Sequence, residues 1–531
     1  MEKSQVQDMR LGALENAFSR ACEAVARHGV IGRIWDGDHT LWSDDPTEIT
    51  QPNRLGWLEV IETMRAEVDD LRRFANEAAA DGYRHAVLFG MGGSSLAPEV
   101  LQRTLGPAQG MLHLEVMDST HPDAVLELQR RVDFDRTLFI VSSKSGSTIE
   151  TLSHFEYFWS LVPKGEQFIA ITDGDSLLQR LGEERGFRRV FINRPDIGGR
   201  YSALFLFGLV PGALLGLDLD EMLSQAGAMA DACRSEDPGS NPGVLLGTVM
   251  GEAALTGRDK LTLILPHEIA SFGDWVEQLL AESTGKQGKG IVPVVGEPVA
   301  PPSSYRGDRL FVAIGEHTDL AGLEAAGHPV VRLPYAGKQQ LGAEFFRWEF
   351  ATAVAGQRLA INPFDQPNVQ SAKDATSQIL ETNTTEAEPT PPLNQVLSTV
   401  KPGDYIAVLA YLPRSHAIET PLQALRLDLR DRHLVASTLG FGPRYLHSTG
   451  QLHKGGANNG VFVLLTSDAR EDAGVPGQSF SFGRLHRAQA LGDLHSLLAM
   501  GRRVAHVHLP GDPIGALKAL RDGFDEPKEA L

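Results

Sequence analysis

The feature that most constrains the fold of this chain is the alternation of short apolar runs with stretches of helical spacing between residues 83 and 235. Short apolar runs of this kind fit strands that are buried on both faces of a sheet. The runs lie at residues 86–89, 114–117, 138–143, 168–171 and 190–192. Such alternation is typical of βαβ units, so the sequence predicts an α/β protein with a doubly wound parallel sheet covered by helices on both faces.

Two further sets of apolar runs continue the pattern, and a connector separates them. The runs lie at residues 261–265, 310–314 and 330–333, and then at 405–411, 461–466 and 504–509. Residues 381–393, rich in Thr, Glu and Pro, predict an extended connector. The predicted divisions are a helical N-terminal segment over 1–80, a first domain over 81–237, a second over 238–380 and a C-terminal α/β segment over 394–531. The pattern leaves open whether the last segment is a domain of its own or completes the second.

Composition favours a soluble cytoplasmic protein. The formal net charge of −19 over 531 residues argues against nucleic acid and anionic membranes as partners. Cys22 and Cys233 provide neither a disulfide framework nor a metal-ligand cluster, which is typical of a reducing compartment. The first ten residues lack the apolar core of a signal peptide, and the sequence has no apolar run of about 18 residues, the length that a membrane helix needs.

Residues 141–151, VSSKSGSTIET, follow the third apolar run and lead into a helical pattern. The free N–H groups of a first helical turn and the positive end of the helix dipole attract anions. Gly146 lets the backbone approach a ligand, Lys144 adds a full charge, and the hydroxyl donors are Ser143, Ser145, Ser147 and Thr148. The stretch therefore predicts a phosphate-binding loop that is not a Walker loop. The alternative is a plain capped junction, since Ser and Thr are common N-caps.

Residues 90–95, GMGGSS, end the first apolar run in the same way. Because ligands of parallel sheets bind beyond the carboxyl ends of the strands, we expect Gly93 and Ser94 to form a second wall of the same anion site. Alone, this stretch is weak evidence for a nucleotide site, since it lacks the full GxGxxG spacing.

Three charged residues and one loop complete the set of candidates. Arg200 follows a Gly pair beside a strongly apolar helix, which favours a positioned guanidinium over a surface cap. Glu282 ends an amphipathic helix and Lys373 follows the rigid turn at 362–367; position alone favours a solvated side chain for both. The Gly-rich loop 445–460 contains His447 and His453, whose spacing does not match a zinc site. It reads equally well as an anion-facing loop or as a plain surface loop.

Five motifs, in this order, resemble the glucose-6-phosphate isomerase family, which is built from two sugar-isomerase (SIS) domains. They are GMGGSSLAPEVL, SSKSGSTIET, IGGRYSALFLFGL, AESTGKQGKG and NPFDQPNVQSAK, within residues 83–373. With NRLGWL and YLHSTGQLHKGG included, the whole chain is similar to the isomerase half of bifunctional transaldolase–isomerase proteins. The resemblance implies two doubly wound parallel-sheet SIS-type domains, with a helical N-terminal segment and a C-terminal α/β extension. We expect a single-function chain rather than half of a fusion.

The resemblance also implies an activity: a homodimer that converts glucose 6-phosphate to fructose 6-phosphate, with no cofactor and no metal. Glu282 would move a proton between C2 and C1, Arg200 would stabilise the enediolate, and Lys373 would assist ring opening. The phosphate would be held by Ser94, Ser143, Ser145 and Thr148, with Lys144 nearby. These residue types suit the reaction, because a tuned carboxylate removes a proton α to a carbonyl and a guanidinium stabilises the developing oxyanion.

One departure concerns the histidine that opens the pyranose ring. The family supplies it soon after the Glu-containing motif, whereas residues 290–311 contain none. The later HSTGQLHKGG is similar to the family's His motif but comes after NPFDQP. His447 is therefore the expected ring-opening residue, with His453 second and Lys373 acting alone third.

Two other functions stay open at this point. A broader isomerase that also accepts mannose 6-phosphate would carry the same motifs. A non-catalytic SIS protein that binds a sugar phosphate and regulates a partner would keep the phosphate loop without needing the base. The presence of Glu282, Arg200 and Lys373 together favours the enzyme.

Overall fold

The computed structural model describes residues 7–45, 54–317, 319–382, 384 and 386–523. Residues 1–6, 46–53 of the N-terminal segment, 318, 383 and 385 of the connector, and 524–531 lie outside the described residues. The described chain forms three sheets, of five, five and four strands, with helices packed against them. The α/β class that the alternation predicts is confirmed.

The described part of the N-terminal segment contains one short strand and four α-helices. Their bounds are β1 (Asp8–Arg10), α1 (Glu15–Arg27), α2 (Val30–Trp35), α3 (Val60–Arg65) and α4 (Val68–Ala80). The helices bury one stripe each, as their spacing predicts. The expectation of a helical segment missed β1, because three residues are too few to show a strand period.

The first sheet consists of five parallel strands in the order β3-β2-β4-β5-β6. Its strands are β2 (His85–Gly90), β3 (His113–Met117), β4 (Thr137–Ser142), β5 (Phe168–Asp173) and β6 (Arg189–Asn193). The helices that follow in chain order are α5 (Leu96–Thr104), α6 (Pro122–Arg131), α7 (Ile149–Leu161), α8 (Leu177–Glu184), α9 (Leu206–Leu214) and α10 (Leu219–Ala232). The strand order reverses between β2 and β4, where Gly90 and Ser142 face each other in register. A crevice at such a switch point is the usual ligand site of these sheets.

The second sheet has the order β1-β10-β9-β7-β8, in which β1 is antiparallel to β10 and the other strands are parallel. Its strands are β7 (Lys260–Ile264), β8 (Val292–Val294), β9 (Arg309–Ile314) and β10 (Val330–Leu333). Its helices are α11 (Pro242–Leu255), α12 (Phe272–Thr284), α13 (Leu320–Ala325), α14 (Leu341–Leu359) and α15 (Gln370–Thr382). A continuous hydrophobic core joins the N-terminal helices with both sheets.

The third sheet is parallel, with the order β12-β11-β13-β14. Its elements are α16 (Leu393–Leu397), β11 (Tyr405–Tyr411), α17 (His416–His433), β12 (Ala436–Phe441), α18 (Gly450–Gly455), β13 (Gly460–Ser467), α19 (Phe482–Ala499), β14 (Arg503–Leu509) and α20 (Pro513–Asp522). One face of this sheet packs on α12 and β8 through Ala281, Val292 and Val294. None of the helices in the described part of the chain has the length and apolar character needed to cross a bilayer.

The turn after β2 lies directly against the turn that holds Arg200. A Cβ added at Gly93 would stand 2.2 Å from the carbonyl oxygen of Gly199, so no larger residue fits there without a backbone shift. This close approach places residues 92–94 and 199–201 side by side beneath α12.

We expect Gly93→Ala to destabilise the protein by about 1–3 kcal/mol, because overpacking against a backbone carbonyl forces the two turns apart. The measurement is the midpoint of urea denaturation. Gly174→Ala is the matched control, since its new Cβ would lie 3.7 Å from the nearest atom. Equal midpoints for the two variants would contradict the close contact.

Candidate active site

A cavity of about 340 Å³ lies beyond the carboxyl end of β4, next to the switch point of the first sheet. Its walls come from the serine-rich loop, α12, α15, the 3₁₀ segment Arg444–His447 and α19. The polar and charged residues that line it are Ser145, Ser147, Thr148, Glu150, Glu282, Gln366, Gln370, Lys373, Thr376, Ser377, His447, Lys454 and Gln489. All three sheets of the fold therefore contribute to one site.

The serine-rich loop faces this cavity at the N-terminus of α7. Thr148 is the N-cap residue, but its side chain makes no capping bond to the helix. Instead its hydroxyl lies 2.9 Å from that of Ser143. Ser145 and Ser147 are exposed, and their hydroxyls are 3.1 Å apart. The loop can therefore offer two exposed hydroxyls and the first-turn N–H groups to an anion.

Gly146 gives this loop its shape. Its φ of +66° lies in the left-handed region, and an added Cβ would stand 2.7 Å from that of Ser176. The position therefore requires glycine.

Four residues expected at the phosphate are set back from the cavity, and one of them is Ser143, which is buried behind Thr148. Ser94 is buried, and its carbonyl oxygen accepts a 2.9 Å hydrogen bond from the hydroxyl of Ser142. Gly93 packs on Gly199 as described above. Lys144 Nζ donates to both carboxylate oxygens of Asp173, at 2.7 and 3.0 Å. Its charge is thus already paired within the first sheet.

Glu282 lies in the last turn of α12 and faces the cavity, with only 6% of its surface exposed. Burial raises the pKa of its carboxyl above the ordinary value, while the charges of Arg200 and His447 act in the opposite direction. Gln278, one turn earlier, donates weakly to its Oε2 at 3.4 Å. A buried carboxylate with a raised pKa is a suitable general base.

Arg200 lies behind Glu282 and ties three segments together. Its Nη1 is 3.4 Å from Glu282 Oε2 and donates to Gln366 Oε1 at 2.7 Å. Nε donates to the hydroxyl of Ser283, and Nη2 donates to the carbonyl oxygens of Pro363 and Asp365 at 2.7 and 2.8 Å. The guanidinium therefore fixes the end of α12 that carries Glu282 against the NPFDQP turn.

Lys286 holds the same turn from the other side. Its Nζ donates to the carbonyl oxygens of Asn362 and Asp365 and to the Asp365 carboxylate. Burial and the nearby positive charge of Arg200 lower the pKa of this ammonium to about 8.

His447 is bonded to a carboxylate from the first sheet. Its Nε2 lies 2.9 Å from Glu150 Oε1, and its backbone oxygen accepts from Gln278 at 2.8 Å. Burial alone would raise the pKa of Glu150, but the charge and hydrogen bond of His447 outweigh it and hold that pKa below its ordinary value. An ionised Glu150 fixes the proton on Nε2 and leaves Nδ1 for a ligand.

A chain of hydrogen bonds supports this pair. Gln489 of α19 donates to the same Glu150 oxygen at 2.7 Å, and its own amide oxygen accepts from the Thr120 hydroxyl at 2.6 Å. Glu150 is thus held from two sides within a buried network.

The other two candidates for ring opening occupy different places. His453 is buried between the rings of Tyr445 and Phe462 and does not line the cavity, and burial holds its pKa well below the ordinary value. Lys373 is exposed on α15 and lines the cavity. Its positive charge is one of those that lower the pKa of Glu150.

Sequence reasoning missed Glu150, Gln366 and Gln489, and it noted Lys454 only as a member of the Gly-rich loop. Glu150 and Gln366 both lie inside motifs quoted above. An acidic residue in the first turn of a helix commonly interacts with the helix dipole, so Glu150 did not indicate a site. A Gln in a turn gives no indication of function by itself. Gln489 lies 339 residues from Glu150, and Lys454 pairs with Asp493, so only the fold brings these partners together.

Comparison with known proteins finds one family model and several relatives that are similar to this chain. Residues 57–292 match the family model described as phosphoglucose isomerase. A protein named glucose-6-phosphate isomerase from Methanocaldococcus jannaschii is 30% identical over 221 residues, 40% of this chain and 54% of that protein. The chain thus spans about half the length of this relative. Another from Carboxydothermus hydrogenoformans is 26% identical over 404 residues, 63% of this chain and 86% of that protein.

A solved structure shares the fold. The crystal structure of a glucose-6-phosphate isomerase from Chlamydia trachomatis superposes with a TM-score of 0.53 at 22% identity, covering 60% of this chain and 74% of that one. The finer resemblance to the isomerase half of bifunctional proteins stays a prediction. The match to the phosphoglucose isomerase model, over residues 57–292, includes the serine-rich loop, Arg200 and Glu282.

Proposed function

We propose that this chain is a glucose-6-phosphate isomerase that interconverts glucose 6-phosphate and fructose 6-phosphate. The observation that carries the proposal is the buried Glu282 carboxylate, which faces the same cavity as an anion-binding loop and the His447–Glu150 pair. The names of the relatives support the same reaction and the same substrate.

In this proposal the sugar phosphate is anchored at the start of α7. The hydroxyls of Ser145, Ser147 and Thr148 donate to the phosphate, together with the free N–H groups of the first helical turn. This places the sugar carbons toward Glu282 and His447 on the opposite wall. Ser94, Ser143 and Gly93 shape the loop from behind, and Lys144 supports it through Asp173.

The chemical step moves one proton within one molecule. Glu282 removes the hydrogen from C2 of the open-chain aldose, the C1–C2 double bond forms, and the electron pair of the carbonyl passes to O1. The acquired proton is returned from Glu282 to C1, while the O2 proton passes to O1. From behind Glu282, Arg200 keeps a fixed positive charge near this enediolate; a pair of unit charges at ~4 Å interacts by roughly 4 kcal/mol at an effective dielectric of 20. The balance requires neither a redox cofactor nor a metal.

Ring opening precedes that step. With its Nε2 proton committed to Glu150, His447 presents Nδ1 to the ring oxygen or to the O1 hydroxyl of the cyclic sugar. The imidazole can then take a proton from one and deliver it to the other, which is the usual work of a histidine near neutral pH. Lys373 supplies positive charge on the same wall.

A homodimer and a cytoplasmic location complete the proposal. Both rest on the resemblance to the isomerase family, and the cytoplasmic location also on the low cysteine content.

We expect Glu282→Gln to lower kcat by about 10²–10⁴-fold, since the amide cannot accept the C2 proton. The assay is fructose 6-phosphate formation from glucose 6-phosphate, run beside the exposed control Glu221→Gln on α10. Binding of the sugar phosphate by calorimetry should survive in both variants. Tight binding without turnover in the native protein would instead favour the non-catalytic regulator.

The acid limb of the kcat/KM profile should have an inflection above 4.5, the ordinary carboxyl pKa, because burial raises the pKa of Glu282. The base form is lost as the pH falls through that raised value. Gln278→Met removes a hydrogen bond that lowers this pKa, so the acid limb should move to higher pH. An acid limb that does not move in Gln278→Met would assign it to another group.

Exchange between the anomers of glucose 6-phosphate separates the ring-opening role of His447 from the proton-transfer role of Glu282. Proton exchange spectroscopy on glucose 6-phosphate measures how fast the α and β anomers interconvert on the enzyme. We expect His447→Gln to lose both the accelerated exchange and isomerisation, because the ring no longer opens, whereas Glu282→Gln should keep the exchange. If His447→Gln leaves the exchange intact and Lys373→Gln abolishes it, ring opening belongs to Lys373.

A further inference from the structure

Helix α12 separates the catalytic cavity from a second cavity of about 240 Å³. Asp274 and Glu277 of α12 line one wall, and Val295 and Gly296 after β8 line another. The remaining walls include four arginines, which are Arg103, Arg414, Arg426 and Arg444. We call this the arginine cavity.

Arg426 is the unusual member of this group. Its side chain is only 2% exposed, yet no carboxylate of the described residues lies within ion-pair distance of its guanidinium. Nε donates to the Ser437 carbonyl oxygen at 2.9 Å and Nη1 to that of Val295 at 2.8 Å, while Nη2 has no hydrogen-bond partner in the described chain. Buried cations are normally paired, because an isolated charge in a protein interior is costly.

The surrounding charges do not compensate Arg426. The carboxylate that acts on it most strongly is Glu297, but this group is shared with Arg309 at 3.4 Å and Arg430 at 3.8 Å. One carboxylate thus serves three guanidinium groups. Burial, opposed only in part by the carboxylates, lowers the pKa of Arg426 to about 10.

Glu277 is the other carboxyl near Arg426. Burial and the Asp274 carboxylate raise its pKa to about 8, while the charges of Arg426 and Arg444 and a hydrogen bond from Ser448 act against that rise. At neutral pH this carboxyl is therefore mostly protonated and can donate a hydrogen bond rather than supply a negative charge.

The other three arginines are already neutralised. Arg444 pairs with Glu99, Asp118 and Asp274, and Arg414 pairs with Glu99 and Glu419. Arg103 also faces Glu99, at 3.7 Å. The uncompensated positive charge is therefore localised at Arg426.

We propose that the arginine cavity is a second binding site, which takes a small oxyanion such as inorganic phosphate or the phosphate or carboxylate group of a small metabolite. The anion accepts from Arg426 Nη2 and from the Glu277 carboxyl, and the cavity volume is sufficient for a group of this size. This site is distinct from the serine-rich loop and does not rest on the proposed isomerase activity.

Gln423→Glu tests the proposal without removing any arginine. Gln423 lines the cavity, and its Oε1 lies 3.3 Å from Arg426 Nη1. A glutamate of nearly the same shape would supply the missing counter-charge and occupy the role of the anion. Gln395→Glu, an exposed position on α16, adds the same charge elsewhere and is the matched control.

Two measurements are made on the full-length protein. Crystals are soaked in tungstate, an anomalous phosphate mimic, and inorganic phosphate is titrated calorimetrically at low ionic strength. We expect an anomalous peak between Arg426 and Glu277 in the native protein and in Gln395→Glu, absent in Gln423→Glu, with phosphate binding at this site weakened at least tenfold. A native protein without this peak, or an equal peak in Gln423→Glu, overturns the proposal.

The serine-rich loop provides an internal reference in the same crystals. If the anomalous peak at the loop persists in all three proteins, the loss of the peak at Arg426 in Gln423→Glu is a local effect. This result supports the proposal. Loss of both peaks in Gln423→Glu, with an unchanged urea midpoint, would show a general charge effect and would overturn it.

Discussion

The interaction on which the site depends is the buried contact between Arg200 and Glu282. A guanidinium removed from water must satisfy its donors, and Arg200 does so with Ser283, Gln366 and two carbonyl oxygens of the NPFDQP turn as well as with Glu282. These partners lie 82 to 166 residues away along the chain. Glu282 is therefore positioned only when the first and second sheets are docked, and the charge that holds this contact together is the one that the proposed reaction assigns to the enediolate.

Local sequence patterns were sufficient for much of this arrangement. The buried strands of the first sheet, the serine-rich loop at the start of α7 and the end of α12 each depend on neighbours within one strand–turn–helix unit. A charge beside so apolar a helix predicts a positioned Arg200, and the structure has this residue buried with five partners. Such features are encoded over about ten to twenty residues, which is the range over which apolar spacing and turn chemistry can be read.

What the sequence left undetermined was long-range pairing. The loop sequence predicts that Lys144 adds a full charge to the anion site, but its partner Asp173 is 29 residues away at the end of the next strand. His447 and Glu150 are 297 residues apart, and β1 of the N-terminal segment pairs with β10 of the second sheet. No periodicity reports such contacts. Likewise, sequence position alone favours a solvated side chain for both Glu282 and Lys373, yet only Lys373 is exposed.

Helix α12 explains why one element can serve two cavities. Glu277 and Glu282 are five residues apart, and at 3.6 residues per turn this places them about 140° apart around the helix axis. One therefore faces the arginine cavity while the other faces the catalytic cavity. Ser448, which donates to Glu277, directly follows His447. The segment that lines the catalytic cavity through His447 therefore also contacts α12 at the arginine cavity. An anion held by Arg426 would thus contact the helix that carries the base, on the face opposite to the substrate.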